Sequence, residues 1–347
     1  GIHWDKPSLG LVEFQGSRDN NLIITKCGED EIEEPDLHRG GGRCHNPSVI
    51  KREGNVPEDQ RYVLYCYGQD YRHSRMAYSP DGLRWMFVRE TAKTALFPSS
   101  DVLNFFYDPY RQRYVATRKS GNRRGRAAGI AWSRNGTDWE VPVSTSVMGA
   151  DDLDPDATQI YGMPVFPYQG LYIGLPWVYN ARWFKSGGYT DQHMYQAEQD
   201  SPRTMDAQMA WSWDLINWTR PPERRPFIPR GETGTFDCDM IYTARAPVQM
   251  GDELWFYYGG FQGVHSDSNA KSAIGLAKLR LDGFCSLRAG PAEGRFVSRR
   301  ERLMVPRVTV NARVQGDGYV TAEVLDADGA VIPGFSRNEC NAFRGDD

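Results

Sequence analysis

The sequence predicts an all-β protein assembled from repeated four-stranded modules, the plan of a β-propeller. Three observations carry this. One short hairpin motif recurs along the chain, alternating aromatic runs precede it, and long amphipathic helical patterns are scarce.

The hairpin motif is clearest in Ser79-Pro80-Asp81-Gly82-Leu83-Arg84-Trp85. It recurs as Ser133-Arg134-Asn135-Gly136-Thr137-Asp138-Trp139, with Asn for Asp. It recurs again as Ser212-Trp213-Asp214-Leu215-Ile216-Asn217-Trp218, with the Gly replaced. Asp-Gly or Asn-Gly supplies the positive φ that a tight hairpin needs. The Ser and Asp side chains satisfy turn N–H groups, and the Trp packs back over the turn. The runs 62–67, 114–118, 171–175 and 254–258 have the aromatic, alternating character of strands. The last leads to Leu279-Arg280-Leu281-Asp282-Gly283-Phe284, which predicts a further outer hairpin with Phe in the Trp place. The tryptophans of the three motifs are separated by the length of a four-stranded blade with variable loops.

Gly1-Ile2-His3-Trp4 matches the same Gly-x-x-Trp ending. The chain is therefore expected to begin inside a hairpin, with the inner strands of a first blade lying upstream and that blade incomplete here. Counting it gives five blades over residues 1–290. Beyond them the texture changes. The stretches 308–312, 319–325 and 330–332 alternate like sandwich strands, with Asp328-Gly329 as a turn. Residues 291–347 are thus expected to form a β-sandwich-like module, itself incomplete because a sandwich usually has about seven strands.

Composition narrows the partners. The chain has 347 residues with a net charge of −4, so it lacks the basic surface of a nucleic-acid binder. No apolar run approaches the about 20 residues that span a bilayer, so no membrane partner is expected. Aromatic residues make up 12%, a content that suits β structure and also the stacking of ring faces on sugars. The six cysteines form no C-x-x-C, which argues against a zinc or thioredoxin-type site. Cys27 with Cys44 is the pair preferred for a disulfide, against the alternative of buried thiols. No nucleotide fingerprint, hydrolase triad motif or metalloprotease helix appears.

The segments Gly1-Ile2-His3-Trp4-Asp5-Lys6-Pro7-Ser8-Leu9-Gly10-Leu11, Ser79 to Trp85, Tyr161-Gly162-Met163-Pro164-Val165-Phe166-Pro167-Tyr168, Phe256-Tyr257-Tyr258-Gly259-Gly260 and Arg280 to Phe284 occur in this order. With them the chain resembles, over nearly its whole length, a bacterial group described as similar to the N-terminal domain of family 32 glycoside hydrolases. The resemblance implies a five-bladed propeller of the set that includes families 32, 43, 62, 68 and 130. It also implies a C-terminal β-sandwich and a saccharide substrate. A secreted or periplasmic location is expected. The family 32 signature W-M-N-D-P-N-G and its R-D-P motif are absent, so catalytic residues are placed by position and not by motif.

In a propeller the inner strands line a central funnel, and polar residues at their starts converge. The expected starts are Arg43-Cys44-His45-Asn46, then Asp101 to Asn104, then Asp151 to Tyr161, then Glu232 to Asp239. Glycoside hydrolysis needs two carboxyl groups. One is an acid for the leaving oxygen; the other is a nucleophile or base about 5 to 9.5 Å away. Asp101 is expected as base or pKa modulator and Glu232 as acid, with Asp237 next in line. Arg43, His45, Asn46, Asp156, Gln159, Tyr161, Trp177, Asp239 and His265 are expected to bind an oligosaccharide or polysaccharide. Each has a plainer reading: Asp101 as a turn cap after Ser99-Ser100, Asp237 and Asp239 as backbone acceptors, Trp177 with Tyr179 and Trp183 as core aromatics. The cluster Asp151, Asp152, Asp154 and Asp156 reads as a solvated loop or as a calcium loop. A non-catalytic carbohydrate-binding propeller is the competing function.

Overall fold

The structure, a computed structural model, describes residues 2–24, 44–68, 73–181, 200–300 and 309–346. Apart from one short helix, α1 (Glu90–Lys93), and a single 3-10 turn, its regular structure is β.

The first sheet is an antiparallel meander of β1 (Cys44–Lys51), β2 (Tyr62–Gly68), β3 (His73–Ser79) and β4 (Met86–Phe87). The second is β5 (Leu103–Asp108), β6 (Arg113–Asn122) and β7 (Gly125–Ser133). A rudimentary fourth strand completes it at Glu140, which exchanges backbone hydrogen bonds of 2.9 and 2.8 Å with Trp132.

The third module is one four-stranded meander broken in the middle. Its first three strands each run as two segments, β8 (Thr158–Gly162) with β9 (Val165–Tyr168), β10 (Leu171–Gly174) with β11 (Trp177–Asn180), and β12 (Thr204–Ala207) with β13 (Ala210–Ser212). Its outer strand is β14 (Trp218–Thr219). Pro164 and Pro176 lie at two of the breaks, where a missing N–H removes a ladder bond. The ladder is carried across them by Leu175 N–H to Pro164 O at 2.8 Å and Gln208 N–H to Pro176 O at 3.0 Å.

The fourth module consists of β15 (Met240–Thr243), β16 (Val248–Met250), β17 (Glu253–Gln262) and β18 (Lys271–Arg280). It joins the third through a single parallel pair, Met205 with Met240.

Consecutive sheets pack face to face, and the core lies between them. Phe105 packs with Tyr65, Met76 and Tyr114 between the first and second sheets. Its neighbour Phe106 packs with Ile160, Met163 and Tyr172 between the second and third. Side chains alternate across a strand, so Phe105 and Phe106 fill the cores on the two opposite faces of β5. Face-to-face stacking of four-stranded meanders is propeller architecture, and the fold is all-β in that sense.

The three hairpin motifs fold alike. Ser79, Ser133 and Ser212 each accept the N–H three residues on, at 2.8, 2.8 and 2.9 Å. Asp81, Asn135 and Asp214 each accept the next two turn N–H groups. The Trp indole N–H then donates to the carbonyl of Gly82, Gly136 or Leu215 at 3.1, 3.1 and 2.9 Å. Where the Gly is lost, Leu215 itself takes φ +72°.

One expectation differs, and another lies partly outside the described residues. After β18 the backbone turns at Leu281–Phe284, with Asp282 at φ +62°, but no outer strand follows among the described residues. At the other end, the Gly1 of the expected hairpin lies outside the described residues; Trp4 is largely exposed and meets Tyr257 edge-on at 5.9 Å.

The chain divides into two compact units, residues 1–248 with 255–277, and residues 249–254 with 278–347. In the second unit the expected sandwich strands do not form ladders among the described residues. Isolated bridges link Arg313 to Asp346, Val320 to Phe343 and Leu325 to Val331. Val310, Tyr319 and Val324 are all exposed, and alternation without a buried face does not hold a strand in register. The turn at Asp328-Gly329 is present, with Gly329 at φ +85° and two N–H groups held by Asp326.

Candidate functional site

The starts of the inner strands β1, β5, β8 and β15 converge, and a chain of contacts runs between them. Asn46, at the start of β1 with φ +49°, donates to the Asp101 carbonyl at 3.4 Å. Asp101 precedes β5, and its carboxylate pairs with the ammonium of Lys119, which is placed there because Lys119 N–H donates to the Val102 carbonyl at 3.1 Å. The same ammonium lies over the Tyr161 ring of β8, 4.4 Å from its centroid. Tyr161 in turn meets Tyr242 of β15 edge-on at 6.2 Å.

Burial alone would raise the Asp101 carboxyl. The Lys119 ammonium overrides it, helped by the Ser100 hydroxyl and by His45, and holds the carboxyl below the ordinary Asp range. Asp101 is therefore a carboxylate at neutral pH, which suits a base or nucleophile and not an acid. His45 is itself pushed down from its usual value by burial, against the opposing pull of Asp101.

The far side of Tyr161 is built from aromatic and polar groups. His265 lies with Nε2 3.0 Å from the Tyr161 hydroxyl, and with Nδ1 3.3 Å from the Tyr179 hydroxyl and 3.0 Å from the Ser266 hydroxyl. Its backbone is pinned by His265 N–H to Arg203 O at 3.0 Å and by the Arg203 guanidinium to His265 O at 3.2 Å. The buried Gln159 amide fixes its neighbourhood, accepting from Arg126 N–H at 3.2 Å and donating to the Ala181 carbonyl at 2.8 Å. The Arg126 guanidinium lies over the Tyr179 ring at 5.2 Å.

His45, Asn46, Asp101, Gln159, Tyr161 and His265 thus come together. Other expected site residues do not join them in that form. Trp177 is buried; its ring meets Tyr242 at 5.0 Å and its N–H donates to Thr243 at 3.1 Å, so its faces belong to the core. Asp156 is fully exposed, 4.0 Å from Arg124. Glu232 is exposed at the start of a turn whose Thr235 N–H returns to its carbonyl at 3.0 Å. Asp237 accepts the Tyr258 hydroxyl at 2.8 Å and the Thr235 hydroxyl at 2.9 Å, bracing that turn against β17. Asp239 accepts Gly263 N–H at 2.7 Å, which closes the loop leading to His265. Arg43, Trp183 and the Cys27 of the expected disulfide lie outside the described residues.

The acidic loop is occupied by arginine and not arranged for calcium. Arg220 holds Asp154 through two bonds of 2.6 and 2.8 Å, Arg224 holds Asp151, and Arg124 holds Asp152 at 2.8 Å. Among the described residues no group of three or more His, Cys, Asp or Glu side chains is gathered for a metal ion. No helix among them is long and apolar enough to cross a membrane.

Lys119 was not expected as a site residue. It follows the aromatic run 114–118, and its one available signal is its place opposite the start of β5.

No family model matches the chain, and no curated protein sequence matches it. Among solved structures, the chain is similar to a glycoside hydrolase at 13% identity and a TM-score of 0.44, covering 67% of this chain and 66% of that one. It is similar to an N-acetylgalactosamine deacetylase from F. plautii in complex with blood group B trisaccharide, at 13% identity and a TM-score of 0.46, covering 70% of this chain and 74% of that one. It is also similar to a Bombyx mori GH32 β-fructofuranosidase in complex with sucrose, at 12% identity and a TM-score of 0.43, covering 70% of this chain and 49% of that one. The chain spans just under two thirds of the length of the first of these.

Proposed function

We propose that this chain processes carbohydrate, as a glycoside hydrolase acting on an oligosaccharide or polysaccharide at the converging starts of the inner strands. The observation that carries the reading is Asp101: a carboxylate held ionised by Lys119 beside His45, one ring away from Tyr161 and His265. An ionised carboxylate next to aromatic faces and hydrogen-bonding groups suits a sugar ring, with Asp101 as the base that activates water or as the nucleophile. Asn46 fixes the backbone at Asp101, and Gln159 fixes that of Arg126 beside Tyr161.

A second reading, a saccharide-binding propeller without catalysis, is favoured by the placement of the other carboxylates. Glu232 is exposed and Asp237 is committed to two hydroxyls. Cleavage of a panel of reducing-end-labelled oligosaccharides by the chain and by its Asp101→Asn form separates the two. Hydrolysis that falls about 100-fold or more in Asp101→Asn supports the hydrolase. Saturable binding without cleavage supports the binding module, and neither result on any saccharide removes both.

A further inference from the structure

We infer that the leaving oxygen takes its proton from the Tyr161 hydroxyl, resupplied by His265, and not from Glu232. This rests on the hydrolase reading above.

Both ring nitrogens of His265 are engaged by hydroxyls, and its main chain is tied to Arg203 on both sides. That fixes the ring plane and points Nε2 at the Tyr161 oxygen. Tyr161 is half-buried between this histidine and the Lys119 that holds Asp101. A substrate bound at Asp101 therefore has Tyr161 as a neighbour. The carboxylates around His265 have other work. Asp239 accepts the Gly263 N–H, two residues before the histidine, at 2.7 Å, and Asp267, two residues after it, accepts the Asn269 N–H at 2.9 Å. An imidazole can take up a proton at one ring nitrogen and give one from the other, and both ring nitrogens of His265 have hydroxyl partners.

The step balances as follows. The C1–O bond breaks with its electron pair passing to the leaving oxygen, which takes the Tyr161 proton. The His265 imidazolium gives its Nε2 proton to the Tyr161 oxygen. Water adds to C1 and loses a proton to Asp101. Proton exchange with solvent returns Asp101 and His265 to their starting states.

The test compares the wild-type chain with His265→Gln, Tyr161→Phe and Glu232→Gln on a saccharide and on the nitrophenyl glycoside of the same sugar, whose leaving group departs without protonation. Tyr161→Phe keeps the ring and its packing, so it guards against a folding defect in His265→Gln. The first two variants are expected to lose about 100-fold or more on the saccharide, under about tenfold on the nitrophenyl glycoside, and the basic limb of the pH profile. Equal losses on both substrates with an unchanged pH profile would mean that the two residues only hold structure. A leaving-group-dependent loss in Glu232→Gln would return the role to that residue. A wild-type chain inactive on every substrate removes the hydrolase reading and this inference together.

Discussion

Lys119 decides the charge state of Asp101, because the two opposing effects on that carboxyl are burial and the ammonium beside it. Lys119→Met leaves burial opposed only by the Ser100 hydroxyl and His45. The Asp101 pKa is then expected to rise, moving the acid limb of saccharide turnover or binding to higher pH. An unmoved limb would show that Asp101 does not control it. The same pairing has a stability consequence. Asp101 is lowered in the folded state, so it stabilises the fold above the unfolded-state value of about 4, and that contribution is lost as pH falls through the lowered folded value. A different constraint operates at Gly136, whose φ is +86° and where an added Cβ would lie 2.6 Å from the Tyr65 hydroxyl, itself bonded to the Gly136 carbonyl at 2.9 Å. Gly136→Ala is expected to cost about 2 kcal/mol or more, read as a lower denaturation midpoint. Within the candidate cluster, Asp101 was legible in the sequence as a polar residue just before an inner strand, and His265 as a residue following the glycine-rich stretch 259–263. Lys119 was not, because its role depends on which residue lies across the ladder.

At the scale of the element, the repeated hairpin is a device that tolerates exchange. Asn135 makes the same turn bonds as Asp81 and Asp214. Burial alone would raise the Asp214 carboxyl, but the Asn217 and Ile216 N–H groups hold it down at about 2. Asp214→Asn is therefore expected to change stability by a few tenths of a kcal/mol, and Asp214→Ala to cost about 1 kcal/mol. Equal costs by urea titration would show that the side-chain bonds contribute nothing. The hairpins and the aromatic runs were readable because turn chemistry and alternation are local. The breaks at Pro164 and Pro176, and the absence of an outer strand after β18 among the described residues, were not, since both depend on which neighbour a strand finds. The alternating stretches beyond residue 308 show the same limit, as their pattern has no buried face to serve.

For the whole molecule, stability lies in the faces between sheets and in a few buried polar ties across the chain. The strongest links the loop after β7 to the end of β14, where Asp154 and Arg220 are both buried and doubly bonded. Arg220→Met leaves a buried carboxylate without its main partner and is expected to cost about 3 to 5 kcal/mol. A loss below about 1 kcal/mol in calorimetry would mean that Arg224 alone neutralises Asp154. All-β architecture was evident from the repeat, because stacked meanders need both strand faces apolar and leave a distinctive texture. The convergence of strand starts is a property of the stacked sheets and became visible only with the pairings among Asn46, Asp101, Lys119, Tyr161 and Tyr242.

The most direct measurement is a crystal structure of the Asp101→Asn form soaked with the saccharide that the labelled panel selects. The expected result is a sugar ring seated beside residue 101, in contact with Tyr161 and within hydrogen-bonding reach of His45 or His265. A ring bound elsewhere, at the exposed Trp213 for example, with this cluster unoccupied, would contradict the assignment of the site.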